Sequence, residues 1–113
     1  METAPVPPST VGMSDRVQAL ERMLASRPDD SRLLFGLALE YLKAGRLAQG
    51  VEALQRYLER ADDEGNAWGR LGFALRELGK ESEAKEAFRK GILAAQRHGH
   101  PSMAAELEEA LGE

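Results

Sequence analysis

Two histidines, His98 and His100, are the side chains in this sequence best suited to proton transfer or metal binding near neutral pH. They flank Gly99 in a predicted break between helices, where this spacing could bind a metal ion only weakly. Cysteine is absent, which excludes thiolate nucleophiles, thiolate metal sites and disulfides. Catalysis requires a nucleophile, a base and an orienting group in one place. Since the sequence offers no such set, we expect a loop or cap role for the histidines, and neither an enzymatic activity, nor a cofactor, nor a metal site.

The charged residues favour a surface role. Glu81, Glu83 and Glu86 fall near the start of a predicted helix, where carboxylates face solvent and interact favourably with the helix dipole. The glycines fall at predicted turns and helix crossings and form no phosphate-binding loop. The net charge of −4 comes from interspersed acids and bases, whereas nucleic-acid binding requires a concentrated basic stripe. We therefore expect no nucleic-acid partner.

Composition indicates one helical globular domain. The chain has 113 residues, of which 42% are hydrophobic and only 5% aromatic, and Ala and Leu are abundant. No apolar run approaches the ~20 residues that span a membrane. Residues 1–5 lack the basic start and apolar stretch of a signal peptide. We expect a cytoplasmic protein with no membrane partner.

A spacing of 34 residues relates the two halves of the chain. Gly45 and Gly79 are 34 residues apart, as are Leu37 and Leu71. Other positions recur three times at the same spacing: Ala19, Ala53 and Ala87; Leu20, Leu54 and Phe88; Leu24, Leu58 and Ile92. A fixed period of this length is typical of a helical solenoid, in which each unit buries its apolar face against its neighbours. Such arrays are usually binding surfaces.

Helix start and stop signals predict six antiparallel helices near 14–27, 31–44, 47–61, 65–78, 81–97 and 101–111. Gly45 and Gly79 are predicted left-handed C-caps, and Pro101 suits the first turn of the last helix. Residues 1–13 are rich in proline, carry no helical period and predict a disordered or extended tail. A single domain is therefore expected over residues 14–113.

The second full helix pair carries a spaced motif. The pattern W-x2-L-G-x2-Y, with Leu replacing the last aromatic residue, and a following A-x3-F are matched by Trp68, Leu71, Gly72, Leu75, Ala84 and Phe88. The sequence thus resembles the tetratricopeptide repeat (TPR) family. The resemblance implies an all-α, right-handed superhelix with two full repeats, about 31–64 and 65–98, and a half repeat at each end. It also implies that Gly72 and Ala84 lie at a close helix crossing, with Trp68 and Phe88 buried beside it.

In TPR proteins the first helix of each pair lines a concave groove that binds peptides or helices of partner proteins. The resemblance therefore predicts a protein-interaction module, with binding residues beside the core stripe of these helices. They are the apolar Phe35, Leu39, Phe73 and Met103 and the polar Arg32, Lys43, Asn66, Arg70 and Glu77. Two alternatives stay open. The same groove can close on a second copy to form a homodimer, or the helix at 14–26 or the Pro-rich tail can cover Phe35 and Leu39.

Some TPR proteins bind a C-terminal carboxylate through a clamp of Lys, Asn and Arg on their first helices. In this sequence Phe35 and Leu39 occupy the positions of the clamp's first Lys and Asn, and Arg70 occupies that of the next Asn. The clamp is not present as a set. We therefore do not expect recognition of a chaperone tail of that type.

Overall fold

The computed structural model describes residues 8–113, and over this range it consists of helices and turns without a strand. The helices in this range are α1 Pro8–Ser26, α2 Ser31–Lys43, α3 Leu47–Leu58, α4 Asn66–Glu77, α5 Glu81–Arg97 and α6 Pro101–Leu111. Helices α2 to α6 lie within three residues of their predicted bounds at both ends. Among the described helices, none combines the length and the apolar character needed to cross a membrane.

Helix α1 begins earlier than predicted. It starts at Pro8, whereas the predicted start was residue 14. Proline is well suited to the first turn of a helix, because its missing N–H would have no partner there in any case. The prediction of an extended tail is therefore wrong for residues 8–13, which are helical, and residues 1–7 lie outside the described range.

Three glycines end helices with the same backbone arrangement. Gly45, Gly79 and Gly99 have positive φ angles of 79°, 79° and 76°. In each case the following N–H bonds to the carbonyl five residues back, as in Arg46 to Tyr41 at 2.8 Å and Lys80 to Leu75 at 2.9 Å. This is a Schellman motif, which reverses the chain and is accessible to glycine without strain. The predicted C-caps at Gly45 and Gly79 are confirmed.

The helices form a one-dimensional array. Each packs against the helices that precede and follow it in the chain, and the molecule measures 58 × 29 × 20 Å. Three large side chains, Leu34, Leu54 and Phe88, are fully buried along this array. Leu54 and Phe88 occupy the same position of successive repeats, so the two units build their cores in the same way. The architecture is an all-α solenoid, as predicted.

The close approach of α4 and α5 depends on Gly72. A Cβ atom at this position would lie 2.6 Å from Cε1 of Phe88, whose side chain has no exposed surface. Trp68 was expected to be buried beside this contact, but it is only half-buried. Trp68 borders a groove that Leu75, at the position of the motif's last aromatic residue, also lines, and this groove leaves one side of the indole uncovered.

Candidate binding surface

The predicted binding residues lie on α2, α4 and α6, the first helices of the pairs, whose common surface is termed the first-helix face. Phe73, in the middle of α4, is 52% exposed on this face. Its ring packs edge-on against Phe88, with 5.0 Å between ring centroids and 76° between ring planes. Phe73 is therefore held by the core on its inner side and open to solvent on its outer side.

The exposure of Phe73 contrasts with the burial of Leu107, which occupies the same repeat position in α6. Leu107 is only 6% exposed. It packs over Gly69 and Gly91, where an added Cβ atom would lie 2.8 Å and 2.9 Å from its methyl carbons. Leu107 is buried because these two glycines leave space for its side chain.

One unit earlier, the positions of those two glycines are occupied by Phe35 and Tyr57. Their rings pack against each other with 5.0 Å between centroids. Since these rings fill the space that the glycines leave in the next unit, Phe73 cannot insert as Leu107 does and stays at the surface. Phe35 and Leu39 are themselves half-buried, and the aromatic partner of Phe35 belongs to α3 rather than to α1.

A shallow depression of about 260 Å³ adjoins Phe73. Its lining comes from α4 and from the ends of α2 and α3 that meet at their turn: Leu42, Leu47, Arg70, Phe73, Ala74 and Glu77. Three of these residues, Arg70, Phe73 and Glu77, are predicted binding residues. Arg70 Nε donates a hydrogen bond to Asn66 Oδ1 at 3.2 Å, so Asn66 is a fourth predicted residue at the edge of the depression. The depression presents an aromatic ring, aliphatic walls and one charge of each sign.

Sequence reasoning missed Leu42 as a wall of this depression. Its side chain lies over Gly50, where a Cβ atom would be only 2.5 Å from Leu42 Cδ2. Gly50 stands at the position equivalent to Ala84, the alanine of the TPR pattern. This departure from the pattern is the sequence feature that could have indicated a different packing of Leu42. Because Gly50 on α3 has no side chain, the side chain of Leu42 on α2 packs directly against it.

The other predicted residues do not line the depression. Arg32 and Lys43 are exposed at opposite ends of α2, and the N–H of Arg32 is capped by Asp30 Oδ1 at 3.0 Å. Met103 is half-buried, and its sulfur lies 2.7 Å from where a Cβ atom on Gly65 would be. Met103 therefore packs α6 onto the start of α4.

The histidines occupy cap positions. His98 is the C-cap of α5 and His100 the N-cap of α6. Nε2 of His98 lies 3.1 Å from Asp62 Oδ2, and Nε2 of His100 lies 2.6 Å from Glu64 Oε1. The hydrogen bond from the Arg97 guanidinium, together with the neighbouring His98 ring, lowers the pKa of the Asp62 carboxyl. These contacts join the α5–α6 turn to the α3–α4 loop, and in the described range no three His, Asp or Glu residues are placed to hold a metal ion.

A larger groove, of about 420 Å³, lies between α3, α4 and α5 and is termed the α3–α5 groove. Its apolar lining consists of Leu58, Trp68, Leu71, Leu75 and Ala87. Lys90 Nζ lies 5.4 Å from the ring centroid of Trp68, a cation–π arrangement. None of these residues was among the predicted binding residues. The sequence signal was Leu75, the one departure from the motif in this unit's first helix.

Comparison with known proteins agrees with the fold. The family model described as tetratricopeptide repeat matches residues 11–95. The TPR repeat-containing protein PA0015 of Pseudomonas aeruginosa is 36% identical over 83 residues, which cover 74% of this chain and 79% of that protein.

Two crystal structures of MamA are similar at 18% identity, with TM-scores of 0.70 and 0.69. The alignments cover 88% and 96% of this chain, and 62% and 74% of the MamA chains. The chain thus spans less than two thirds of the first of these structures. At this identity the likeness shows the shared fold.

Proposed function

The chain belongs to the tetratricopeptide repeat family, and we propose that it is a protein-interaction module that binds a peptide or helical segment of a partner protein on its first-helix face. The observation that carries this proposal is Phe73, an aromatic side chain 52% exposed beside a depression that also contains Arg70 and Glu77. Aromatic and arginine side chains typically contribute most to such interfaces, at ~2 kcal/mol or more each.

The surroundings of Phe73 support a binding role because they hold the ring in place before a partner arrives. Its edge contact with Phe88 is backed by the Arg76 guanidinium, 4.9 Å from the Phe88 ring centroid. A side chain that is already ordered loses little conformational entropy on binding. The depression, of about 260 Å³, is smaller than a typical small-molecule pocket and suits one apolar side chain of a partner.

The polar residues of the face extend this surface. Arg32, Lys43 and Asn66 are exposed on α2 and α4 and can contact the backbone or charges of a bound segment. Phe35, Leu39 and Met103 contribute half-buried apolar surface. We propose that this role involves no catalysis, in keeping with a family of interaction and scaffold modules. The cytoplasmic location and the absence of a nucleic-acid partner stay predictions from composition.

Affinity capture with the full chain tests this proposal. Phe73→Ser is compared with Leu93→Ser, a matched control because Leu93 is 61% exposed on α5, a second helix. Proteins that bind the first-helix face are expected to be lost with Phe73→Ser and retained with Leu93→Ser, while both variants keep the helicity of the parent. A folded Phe73→Ser variant that retains every captured protein would contradict the proposal.

Sedimentation of the purified chain separates a partner-binding module from a homodimer. We expect a monomer at concentrations where captured partners bind. A concentration-dependent dimer that Phe73→Ser converts to a monomer would instead support self-association through the same face.

A further inference from the structure

The α3–α5 groove has a counterpart one repeat earlier in the chain. The earlier groove lies between α1, α2 and α3, and its lining includes Glu21, Leu24, Leu37, Tyr41 and Arg56. Moving each position by 34 residues gives Gln55, Leu58, Leu71, Leu75 and Lys90, all of which line the α3–α5 groove. The fold therefore builds the same groove twice, and differences between the copies reflect their side chains.

The decisive difference is at Tyr41 and its equivalent Leu75. Tyr41 is 6% exposed, and its hydroxyl donates a hydrogen bond to Glu21 Oε2 at 2.5 Å across the earlier groove. In the α3–α5 groove the corresponding pair is Leu75 and Gln55, and a leucine has neither the length nor the hydroxyl to make this contact. The α3–α5 groove, of about 420 Å³ against about 350 Å³ for the earlier groove, lacks this bridge beside Trp68. Trp68 is half-buried, whereas its equivalent Leu34 is fully buried.

The edge of the α3–α5 groove carries an excess of negative charge. Glu59, Glu83 and Glu86 are exposed lining residues, whereas Lys90 is the one basic lining residue of this groove in the described structure and lies over Trp68. Glu59 and Glu86 each have an arginine neighbour at 3.6 Å, but these pairs are exposed. Exposed pairs of this kind are weak and can exchange for a partner's cation.

We propose that the α3–α5 groove is a second binding site, separate from the first-helix face, for a partner segment that inserts a large apolar side chain next to Trp68 and carries Lys or Arg beside it. The apolar lining provides the favourable burial, and the three carboxylates select basic over acidic neighbours of the inserted side chain. The site is distinct from the Phe73 depression, since the two share no lining residue.

Trp68 is the single tryptophan of the chain, so its fluorescence reports occupancy of the groove. The probes are two synthetic peptide libraries with one central Leu, Ile or Phe, flanked by Lys or Arg in one library and by Asp or Glu in the other. We expect a saturable change in Trp68 emission with the basic library only. The double variant Glu83→Gln/Glu86→Gln removes two of the three carboxylates and should weaken binding of the basic library about 3- to 10-fold. No saturable change with the basic library, or an equal change with the acidic one, overturns the proposal.

The earlier groove supplies a blocking variant. Leu75→Tyr places an aromatic ring and a hydroxyl at the position equivalent to Tyr41 and should weaken binding of the basic library while helicity is kept. Gln55 is retained as an acceptor for the new hydroxyl, because a glutamate there would add a carboxylate that itself attracts basic peptides. Phe73→Ser is the matched control and should bind as the parent chain does. Undiminished binding by the folded blocking variant, or loss of binding by folded Phe73→Ser, overturns the proposal. If the blocking variant does not fold, the double Glu→Gln variant decides, and unchanged affinity there refutes the proposal.

Discussion

Replacing Gly72 by alanine tests the packing that positions Phe73. A Cβ atom at this position would lie 2.6 Å, 2.8 Å and 2.8 Å from three ring atoms of Phe88. These distances are about 1 Å shorter than a favourable carbon–carbon contact. Phe88 is fully buried and cannot swing aside, so overpacking should cost about 3 kcal/mol. The better helix propensity of alanine returns about 1 kcal/mol. We expect Gly72→Ala to lower the free energy of unfolding by about 2 kcal/mol.

Gly36→Ala is the matched control, since Gly36 also lies inside a helix. A Cβ atom there would be 3.9 Å from Leu20 Cδ2, an ordinary contact. This variant should gain most of the stabilisation that alanine provides over glycine inside a helix, so its free energy of unfolding should rise by about 0.5–1 kcal/mol. The two glycine-to-alanine changes are therefore predicted to have opposite signs.

The first repeat provides a compensating variant. It has Ala38 and Leu54 where the second repeat has Gly72 and Phe88. The sizes of the two residues are therefore matched in each repeat, with alanine opposite leucine and the smaller glycine opposite the larger phenylalanine. Combining Gly72→Ala with Phe88→Leu should remove the overpacking, and the pair should show a coupling energy of about 2 kcal/mol. Urea denaturation followed by far-UV circular dichroism measures all four members of this cycle. A Gly72→Ala variant as stable as Gly36→Ala, or additive effects in the cycle, would refute the close-packing argument.

Other expected outcomes follow from buried groups. Asp63 is 8% exposed and accepts three backbone N–H bonds at the start of α4, so Asp63→Ala should lower the free energy of unfolding by about 1–3 kcal/mol in the same urea assay. The exposed Asp62→Ala should cost clearly less, and equal losses would contradict this. Burial raises the pKa of Tyr41 from 10.0 to about 12, so the stability it contributes is intact below pH 10 and falls as the pH rises toward 12. In the Tyr57→Phe variant Tyr41 is the one remaining tyrosine, so the rise of tyrosinate absorbance with pH should have its midpoint well above pH 10. A midpoint near pH 10 in folded protein would be inconsistent with a buried Tyr41. Leu107→Ala should lower the free energy of unfolding by about 2–4 kcal/mol, and an unchanged melting curve would mean that α6 does not pack through this side chain.

Helix bounds were predictable where a local signal sets them. The Schellman glycines Gly45 and Gly79 and the first-turn Pro101 fixed ends that the structure reproduces. The start of α1 was not predictable in this way, because Pro8 is compatible both with an extended segment and with the first turn of a helix. Propensity alone does not choose between these two states.

The surface was only partly predictable because exposure depends on residues distant in sequence. Whether Phe73 is exposed is decided by Phe35 and Tyr57, which fill the space that Leu107 uses one unit later. The replacement of an aromatic residue by Leu75 was visible in the motif, but the groove it opens beside Trp68 requires three helices to be in place. A repeat pattern identifies equivalent positions, whereas the volumes of their neighbours decide which are buried.

Photo-crosslinking from position 73 tests the central claim most directly. Benzoylphenylalanine in place of Phe73 is compared with the same residue in place of Leu93, in the full chain and with proteins captured by it. The first-helix-face account predicts covalent adducts with a captured partner from position 73 and few or none from position 93. Adducts from position 93 alone, with a folded chain that forms none from position 73, would place the partner elsewhere and contradict the claim.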